Sequence, residues 1–262
     1  MAALHLINDT NLHQEEDLAA LLSLTDPEQI EQLRQRAEAM TLQQVGHRVY
    51  FRGLLEFSNR CALNCLYCGI RRDNDAVARY TLSLEDIRHG ARRVAERGWG
   101  SLVLQSGENA SAANVDFICN AVRCIKEDTR SSRLPSGLGI TLSAGVYSID
   151  VYRQFFAAGA HRYLLRVETT DADLFARIHP ADQTLAERVQ ALEDLRAAGF
   201  QVGTGVMIGL PGQTCRMLAR DVLFFKEMDV DMVGMGPYQP HRDTPMAGLP
   251  IISAEERLAL AL

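Results

Sequence analysis

The sequence predicts an α/β fold, namely a TIM-type (β/α) barrel built from six strand-helix units. Short apolar segments rich in β-branched residues alternate with helical segments along the chain, and such alternation is typical of parallel strands joined by crossover helices. The polar residues that could carry chemistry mostly lie at or just after the ends of the predicted strands, where barrel proteins place their sites. No G-x-G-x-x-G motif opens a helix after the first strand, so the sequence does not favour a dinucleotide-binding open sheet.

The barrel is predicted over residues 49–262, and residues 1–48 are predicted to be a helical segment packed on its outside. Asp26 and Pro27 are typical of a helix start, and this helix is expected to continue to about Met40. The six predicted strands follow in the order Val49–Ser58, Ser101–Ser106, Gly139–Ser143, Tyr163–Glu168, Val202–Ile208 and Asp231–Gly236.

Capping residues mark the helix ends between these strands. Two pairs have the S/T-x-x-D/E spacing of a capping box, Ser83 with Asp86 and Thr184 with Glu187. Glycines stand where three helices are predicted to end, at Gly98, Gly159 and Gly199. The segment 253–262 is predicted to start a further helix without a C-cap. We therefore expect a barrel truncated from a full eight-strand form, with a natural six-strand barrel as the alternative.

Composition and charge exclude several classes of protein. The formal net charge is −6 and no run of five basic residues occurs, so the chain lacks the electrostatic footprint of a nucleic-acid binder. No apolar stretch approaches the roughly 20 residues needed to cross a bilayer, and the N-terminus lacks the cationic-then-apolar order of a signal peptide. We therefore expect a cytoplasmic protein, in which clustered cysteines are more often metal ligands than disulfides.

The strongest chemical signal is the segment CALNCLYCG, which follows the first predicted strand. Its cysteines, Cys61, Cys65 and Cys68, have the spacing C-x3-C-x2-C. A structural zinc site normally takes four ligands, often as two separated pairs, and the chain has no second C-x2-C pair. Three thiolates instead suit three irons of a four-iron four-sulfur cluster and leave the fourth iron open. A loop that binds zinc or an adventitious metal is the alternative.

This motif, C-x3-C-x-aromatic-C with Tyr67 as the aromatic residue, resembles that of the radical S-adenosylmethionine (radical SAM) enzymes. The resemblance covers most of the chain and implies two cofactors, a 4Fe-4S cluster and S-adenosyl-L-methionine (SAM). It implies that SAM chelates the open iron and that one electron from the reduced cluster cleaves the sulfonium to give a 5′-deoxyadenosyl radical. Cys61, Cys65 and Cys68 are then the metal ligands and the catalytic residues, and the Tyr67 ring shields the cluster.

The same resemblance implies a SAM pocket. Ser106, Gly107 and Glu108 resemble the family's G-G-E motif, whose carboxylate receives the SAM amino group, with serine in place of the first glycine. Arg166 and Glu168 alternate on the fourth predicted strand and so share a face, where the family holds the SAM carboxylate and ribose. An ordinary turn and a structural ion pair are the respective alternatives.

Four further residues are candidates for the site. Arg188 resembles a ligand of the SAM carboxylate, with a solvated arginine as the alternative. Thr141 and Ser143 share a face of the third predicted strand, where we expect Thr141 to contact substrate and Ser143 to contact SAM; packed strand hydroxyls are the alternative. Met232 is predicted to face the adenine, or else to be plain core.

Within the radical SAM family, strings such as EFSNRCALNCLYCGIRRDN and DMVGMGPYQPHRDTP resemble the maturases of iron-only hydrogenase. The implied substrate is a small iron complex with carbon monoxide, cyanide and cysteine ligands, used to assemble the dinuclear subcluster of the hydrogenase. The implied partners are an electron donor such as a ferredoxin or flavodoxin, and other hydrogenase maturases. Methylornithine synthase-like and biotin synthase-like enzymes are the enzymatic alternatives, and a non-catalytic iron-sulfur scaffold is an alternative of another class.

Particular residues argue against each alternative. Biotin synthase carries extra strand cysteines, where this chain has Ile140 and Gly203. A lysine-processing pocket needs carboxylate partners for two ammonium groups. The sequence predicts only Glu108 and Glu168 as carboxylates inside the barrel, and both are assigned to SAM. A scaffold protein needs no SAM pocket.

Overall fold

The computed structural model describes residues 4–7 and 14–253 of the chain. Among the described residues, three helices precede the first strand, α1 (Leu4–Ile7), α2 (Glu15–Leu22) and α3 (Pro27–Val45). The side chain of Asp26 caps α3 by accepting a hydrogen bond of 2.9 Å from the backbone N–H of Glu28. The predicted start of α3 is therefore confirmed, and its end lies beyond the predicted Met40.

Up to residue 253 eight strands follow: β1 (Gly53–Ser58), β2 (Ser101–Ser106), β3 (Gly139–Ser143), β4 (Arg162–Leu164), β5 (Gln201–Thr204), β6 (Met207–Ile208), β7 (Met232–Val233) and β8 (Gly236–Pro237). Strands β1 to β5 and β7 form one parallel sheet in chain order, and β6 pairs in parallel with β8. Within the described ranges β1 and β7 are the edges of the large sheet. The predicted six-strand α/β architecture is confirmed as a partial TIM barrel.

Six helices connect these strands, α4 (Leu84–Glu96), α5 (Ala112–Asp128), α6 (Ile149–Ala158), α7 (Ala172–Ile178), α8 (Leu185–Ala197) and α9 (Cys215–Glu227). Both predicted capping boxes are present, at the starts of α4 and α8. Gly159 ends α6 with a φ of 115°, a conformation that favours glycine. The further helix predicted over residues 253–262 lies almost wholly outside the described residues.

Strands β2 and β3 show how the sheet presents one face to the helices and one to the barrel interior. Leu102 and Leu104 are fully buried against the surrounding helices, as is Ile140. The residues between them, including Val103 and Thr141, point to the opposite face because side chains alternate along a strand. The apolar face supplies most of the core, and the interior face is left for polar side chains.

Four predicted strands are shorter or divided in the structure. The first begins at Gly53 rather than at Val49. The fourth is regular only over Arg162–Leu164, because the chain then leaves the extended conformation and Glu168 has a φ of 65°. The fifth and sixth are each interrupted, giving β5 with β6 and β7 with β8. At the interruption Gly205 packs so closely on the backbone of Gly234 that a side chain there would collide with its carbonyl group.

Candidate active site

The three clustered cysteines lie on one loop directly after β1. Cys65 is buried, and Cys61 and Cys68 are half-buried. The loop is fixed to two other elements: the Ala62 N–H donates to the carbonyl of Glu108 at 2.7 Å, and the Leu66 N–H donates to the carbonyl of Ile178 at 2.9 Å. The cysteines are therefore held against the carboxyl end of β2 and the end of α7.

Arg79 holds the rest of this loop through main-chain carbonyl groups. Its guanidinium donates to the carbonyl oxygens of Asn59 at 2.7 Å, Ile70 at 2.8 Å and Arg71 at 2.6 Å. Backbone carbonyls that face inward need hydrogen-bond donors when no regular secondary structure supplies them. Arg79 meets that need and fixes an otherwise irregular segment around Cys68.

The chemistry of the cysteine loop fits an iron-sulfur cluster better than a single metal ion. In residues 4–7 and 14–253, no three His, Cys, Asp or Glu side chains are grouped so as to hold one metal ion. A zinc ion needs all its sulfur ligands about 2.3 Å from one centre, whereas a cubane cluster binds each thiolate at a separate iron. Burial raises the pKa of Cys65 to about 12, so loading the site would displace a thiol proton.

The end of β2 touches the cysteine loop directly. The Gly107 N–H donates to the carbonyl of Ser58 at 3.1 Å. A Cβ atom on Gly107 would lie 2.7 Å from the Cβ of Cys61 and 2.5 Å from the carbonyl oxygen of Arg60. Only glycine fits this position without moving the cysteine loop.

Glu108 follows with a carboxylate that is only partly satisfied. One oxygen accepts a hydrogen bond from the backbone N–H of Val146, while Oε2 is buried without a hydrogen-bond partner among the described residues. Burial raises the pKa of Glu108 above its ordinary value. A buried carboxylate oxygen of this kind requires a donor, and the ammonium group of an amino acid suits it. The neighbouring Ser106 hydroxyl donates to the Gly107 carbonyl at 2.8 Å.

Arg166 and Glu168 lie together and form the ion pair that the sequence leaves open as the alternative to SAM binding, although they do not lie on a regular strand. The Arg166 Nε is 3.4 Å from Glu168 Oε2, and Arg166 Nη2 also donates to the carbonyl of Val206 at 3.0 Å. Glu168 is buried and hydrogen-bonded to Tyr67, and burial raises its pKa. Its Oε2 has no hydrogen-bond partner in the described part of the chain, which leaves it able to accept a ligand hydroxyl.

Arg188 connects these two carboxylate regions. Its Nε donates to the carbonyl of Arg166 at 2.9 Å, and it lines a cavity of about 310 Å³ together with Glu108. The other residues around this cavity are Leu63, Val146, Phe175, Asp182, Gln183, Thr184 and Glu187. The predicted SAM ligands Glu108 and Arg188 are thus brought to one cavity beside the cysteine loop.

Two neighbours of the cysteine loop are not predicted from the sequence. His179 is buried, stacks on Phe175 with ring centroids 3.8 Å apart, and meets Tyr67 edge-on at 5.5 Å. Burial lowers the pKa of His179 to about 4, so the ring is neutral. The Cys65 thiol donates to Gln183 Oε1 at 3.7 Å. A lone histidine and a lone glutamine outside any motif carry no sequence signal for such contacts.

A second cavity of about 380 Å³ lies in the barrel interior. Its lining includes Thr141, whose hydroxyl is buried without a hydrogen-bond partner among the described residues. Met232 also faces this cavity, where its Sδ accepts a hydrogen bond of 3.5 Å from Arg52. Met232 and Ser143 are both predicted to contact SAM. Met232 lines the second cavity together with Thr141, whereas Ser143 is half-buried at the carboxyl end of β3.

A further carboxylate, Glu56, lies on β1. Leu55 and Phe57 of β1 pack towards Gly90 of α4 and Phe117 of α5, so Glu56 between them lies on the opposite, interior face. Glu56 is exposed and lines neither of the two cavities, so the assignment of Glu108 and Glu168 as the interior carboxylates stays a prediction. Site residues are predicted at strand ends, and Glu56 is not among them because it lies within β1.

Comparisons with known proteins identify the family. Residues 55–225 match the model of the Radical SAM superfamily. The chain belongs to the radical SAM superfamily. Radical SAM enzymes use a 4Fe-4S cluster and SAM, which confirms the predicted family and cofactors.

Three relatives illustrate the match. The [FeFe] hydrogenase maturase subunit HydE of Thermotoga maritima is 41% identical over 88% of this chain and 64% of its own length. The 3-methylornithine synthase of Methanosarcina acetivorans is 26% identical over 88% of this chain and 64% of its own length. The crystal structure of methylornithine synthase (PylB) superposes with a TM-score of 0.85 at 25% identity, covering 99% of this chain and 74% of that one.

The chain therefore spans just under two thirds of these two curated relatives. The roles assigned to individual residues and the division at residue 48 stay predictions. None of the helices within residues 4–7 and 14–253 has the length and apolar character that a membrane crossing demands.

Proposed function

We propose that this chain carries the catalytic core of an iron-only hydrogenase maturase of the HydE type, which acts on a small iron complex with carbon monoxide, cyanide and cysteine ligands. One observation carries the proposal. The three-cysteine loop lies against Glu108, whose Oε2 is buried without a hydrogen-bond partner among the described residues, in a chain that is 41% identical to HydE. The 26% identity to 3-methylornithine synthase is distinctly lower.

The cluster and SAM supply, when bound, a one-electron cleavage that yields the 5′-deoxyadenosyl radical. Cys61, Cys65 and Cys68 would hold the cluster. Their loop is pinned by Arg79 and by backbone bonds to β2 and α7, so the thiolates are preorganised for it.

The residues around the first cavity bind and orient SAM in this proposal. The free oxygen of Glu108 accepts from the ammonium group, and Arg188 faces the carboxylate. Glu168 accepts from a ribose hydroxyl, while Arg166 fixes Glu168 and Tyr67 covers the cluster side. Ser106 and Ser143 are assigned further contacts to SAM. The predicted contact of Met232 with the adenine requires SAM to extend into the second cavity, which Met232 lines.

The second cavity is the proposed substrate site. Arg52 contributes a cation and Thr141 an unsatisfied hydroxyl, and both suit an anionic iron complex with cyanide ligands. The buried carboxylates also argue against a passive iron-sulfur scaffold, because unsatisfied buried acids are costly unless a ligand pairs with them. An external one-electron donor such as a ferredoxin or flavodoxin must supply the electron, and other hydrogenase maturases are the proposed further partners.

A methylornithine synthase-like activity is the second candidate. Glu56 favours it, because a carboxylate on the interior face of β1 that SAM does not use could pair with a substrate ammonium group. The PylB superposition is consistent with the same barrel geometry.

One experiment separates the two candidates. Full-length protein with a reconstituted cluster, SAM and a reductant is supplied either with the iron-CO-CN-cysteine complex or with lysine. We expect consumption or adenosylation of the iron complex and no methylornithine. Thr141→Val removes the Thr141 hydroxyl but keeps the shape of the side chain, and it should slow the consumption of the iron complex. Methylornithine formed from lysine would overturn the assignment.

A further inference from the structure

The segment that presents Glu168 is strained and sharply turned. Glu168 has a φ of 65°, a left-handed conformation that is unfavourable for residues other than glycine. Its N–H donates to the carbonyl of Gly205 at 3.0 Å, and its carbonyl accepts from the N–H of Met207 at 3.0 Å. We refer to residues 168–171, from Glu168 to Asp171, as the Glu168 turn.

Beyond these two bonds, the Glu168 turn is held from α9. Asp221 of α9 is 1% exposed. Its Oδ1 accepts two hydrogen bonds of 2.7 Å, one from the N–H of Thr170 and one from the Thr170 hydroxyl. The other oxygen of Asp221 has no hydrogen-bond partner among the described residues. Both hydrogen bonds that the buried Asp221 carboxylate accepts therefore come from one residue of the turn, Thr170.

The adjacent residue of α9 reaches the other end of the turn. Arg220 Nη1 lies 3.6 Å from Asp171 Oδ2, while Asp171 Oδ1 caps α7 by accepting from the N–H of Leu174 at 2.9 Å. Helix α9 thus contacts two of the three residues that follow Glu168 in the turn, Thr170 and Asp171. A fold that needed only packing here would be served by an apolar side chain, since burying a carboxylate is unfavourable.

We propose that Asp221 is a positioning residue for Glu168, fixing the turn so that the Glu168 carboxylate faces SAM. This inference rests on the proposed role of Glu168 in SAM binding. Burial raises the pKa of Asp221 to about 6, so the carboxylate is ionised at neutral pH and accepts both hydrogen bonds from Thr170.

The test measures SAM affinity in full-length protein with a reconstituted cluster. Asp221→Ala removes the acceptor, Asp221→Asn keeps one, and Thr170→Val removes only the hydroxyl donor. Glu227→Gln, which removes an exposed carboxylate on the same helix, is the matched control. We expect the SAM dissociation constant to rise about tenfold in Asp221→Ala, in the range of a lost hydrogen bond to a charged group. It should change less in Asp221→Asn and stay unchanged in the control.

A double-variant cycle shows whether Asp221 acts through Glu168. In the Glu168→Gln background, Asp221→Ala should add little further loss, because coupled residues are not additive. Additive losses, or unchanged SAM affinity in a folded Asp221→Ala protein, would overturn the inference. If Asp221→Ala does not fold, unchanged affinity in Thr170→Val overturns it. Failure of the wild-type protein to bind SAM would instead contradict the proposed function.

Discussion

Glu108 is the residue in which the geometry most clearly requires a ligand. One oxygen is used by the Val146 backbone and the other is buried without a partner within the described ranges. Arg188 lies across the same cavity, so an amino acid bound there would have its ammonium and carboxylate groups matched at once. This pairing explains why an unsatisfied acid is retained beside the cysteine loop.

Glu108→Gln tests this pairing. The amide keeps an oxygen for the Val146 N–H but replaces a charged acceptor by a neutral group, so SAM binding should weaken by about 1 to 3 kcal/mol. The measurement is SAM affinity by equilibrium dialysis on protein with a reconstituted cluster. Glu127→Gln, an exposed change on α5, is the control and should bind normally. Equal affinity in both variants would assign Glu108 to an ordinary turn.

Asp221 should make the stability of the fold depend on pH. Burial raises its pKa from 3.8 to about 6, and Asp171 adds to the rise. Between these values the folded protein binds a proton that the unfolded chain does not, so this group makes the protein more stable as the pH falls from 7 towards 4. The gain is at most about 1.4 kcal/mol per pH unit.

Chemical denaturation of the wild type and Asp221→Asn over this pH range measures the effect. The other titrating groups are common to both proteins, so they largely cancel in the difference between the two curves. The wild type should gain stability relative to the variant as the pH falls through 6. Parallel curves would show that Asp221 does not titrate in this way.

Among the elements, β2 and the loop after β1 form the most closely fitted contact in the site. Gly107 at the end of β2 leaves no space for a side chain beside Cys61. Gly107→Ala should therefore displace the cysteine loop and reduce the iron bound per chain after reconstitution. Gly100→Ala, at a position with nothing within 4 Å of the added carbon, should load iron normally. Full iron content in both variants would contradict the fitted contact.

The elements also show how far sequence patterns reach. β2 and β3 have the predicted bounds, because their alternating apolar residues are the ones that pack against the helices. The predicted fourth strand ends at Leu164 in the structure. The left-handed conformation of Glu168 depends on tertiary contacts with the β5–β6 segment and α9, which the hydrophobic pattern of the sequence does not indicate. The ion pair of Glu168 with Arg166 is nevertheless present, which both interpretations of the pair allow, and the SAM-binding roles of the two residues stay predictions.

Site residues that lie outside motifs and strand ends could not be predicted in this way. His179, Gln183 and Arg52 reach the site only because the fold brings distant segments together. Glu56 lies within a predicted strand, but its face is known only once the packing of Leu55 and Phe57 is seen. The cysteines and Glu108 were predictable because their spacing and strand-end position follow from local sequence.

At the scale of the whole molecule, the partial barrel contains two cavities. Glu108 and Arg188 line the cavity beside the cysteine loop, and Arg52 and Thr141 line the interior cavity. We propose the first cavity as the cofactor site and the second as the substrate site. The family match to residues 55–225 covers the elements that build both.

The central claim is that the three cysteines hold a SAM-binding iron-sulfur cluster, and one measurement tests it most directly. Full-length protein is reconstituted anaerobically, assayed for iron, reduced, and examined by electron paramagnetic resonance with and without SAM. We expect about four irons per chain and a reduced-cluster signal that changes when SAM is added. Cys65→Ser should lose the cluster, because its hydroxyl is a poor iron ligand. Tight stoichiometric zinc with no iron uptake, or a cluster signal indifferent to SAM, would contradict the claim.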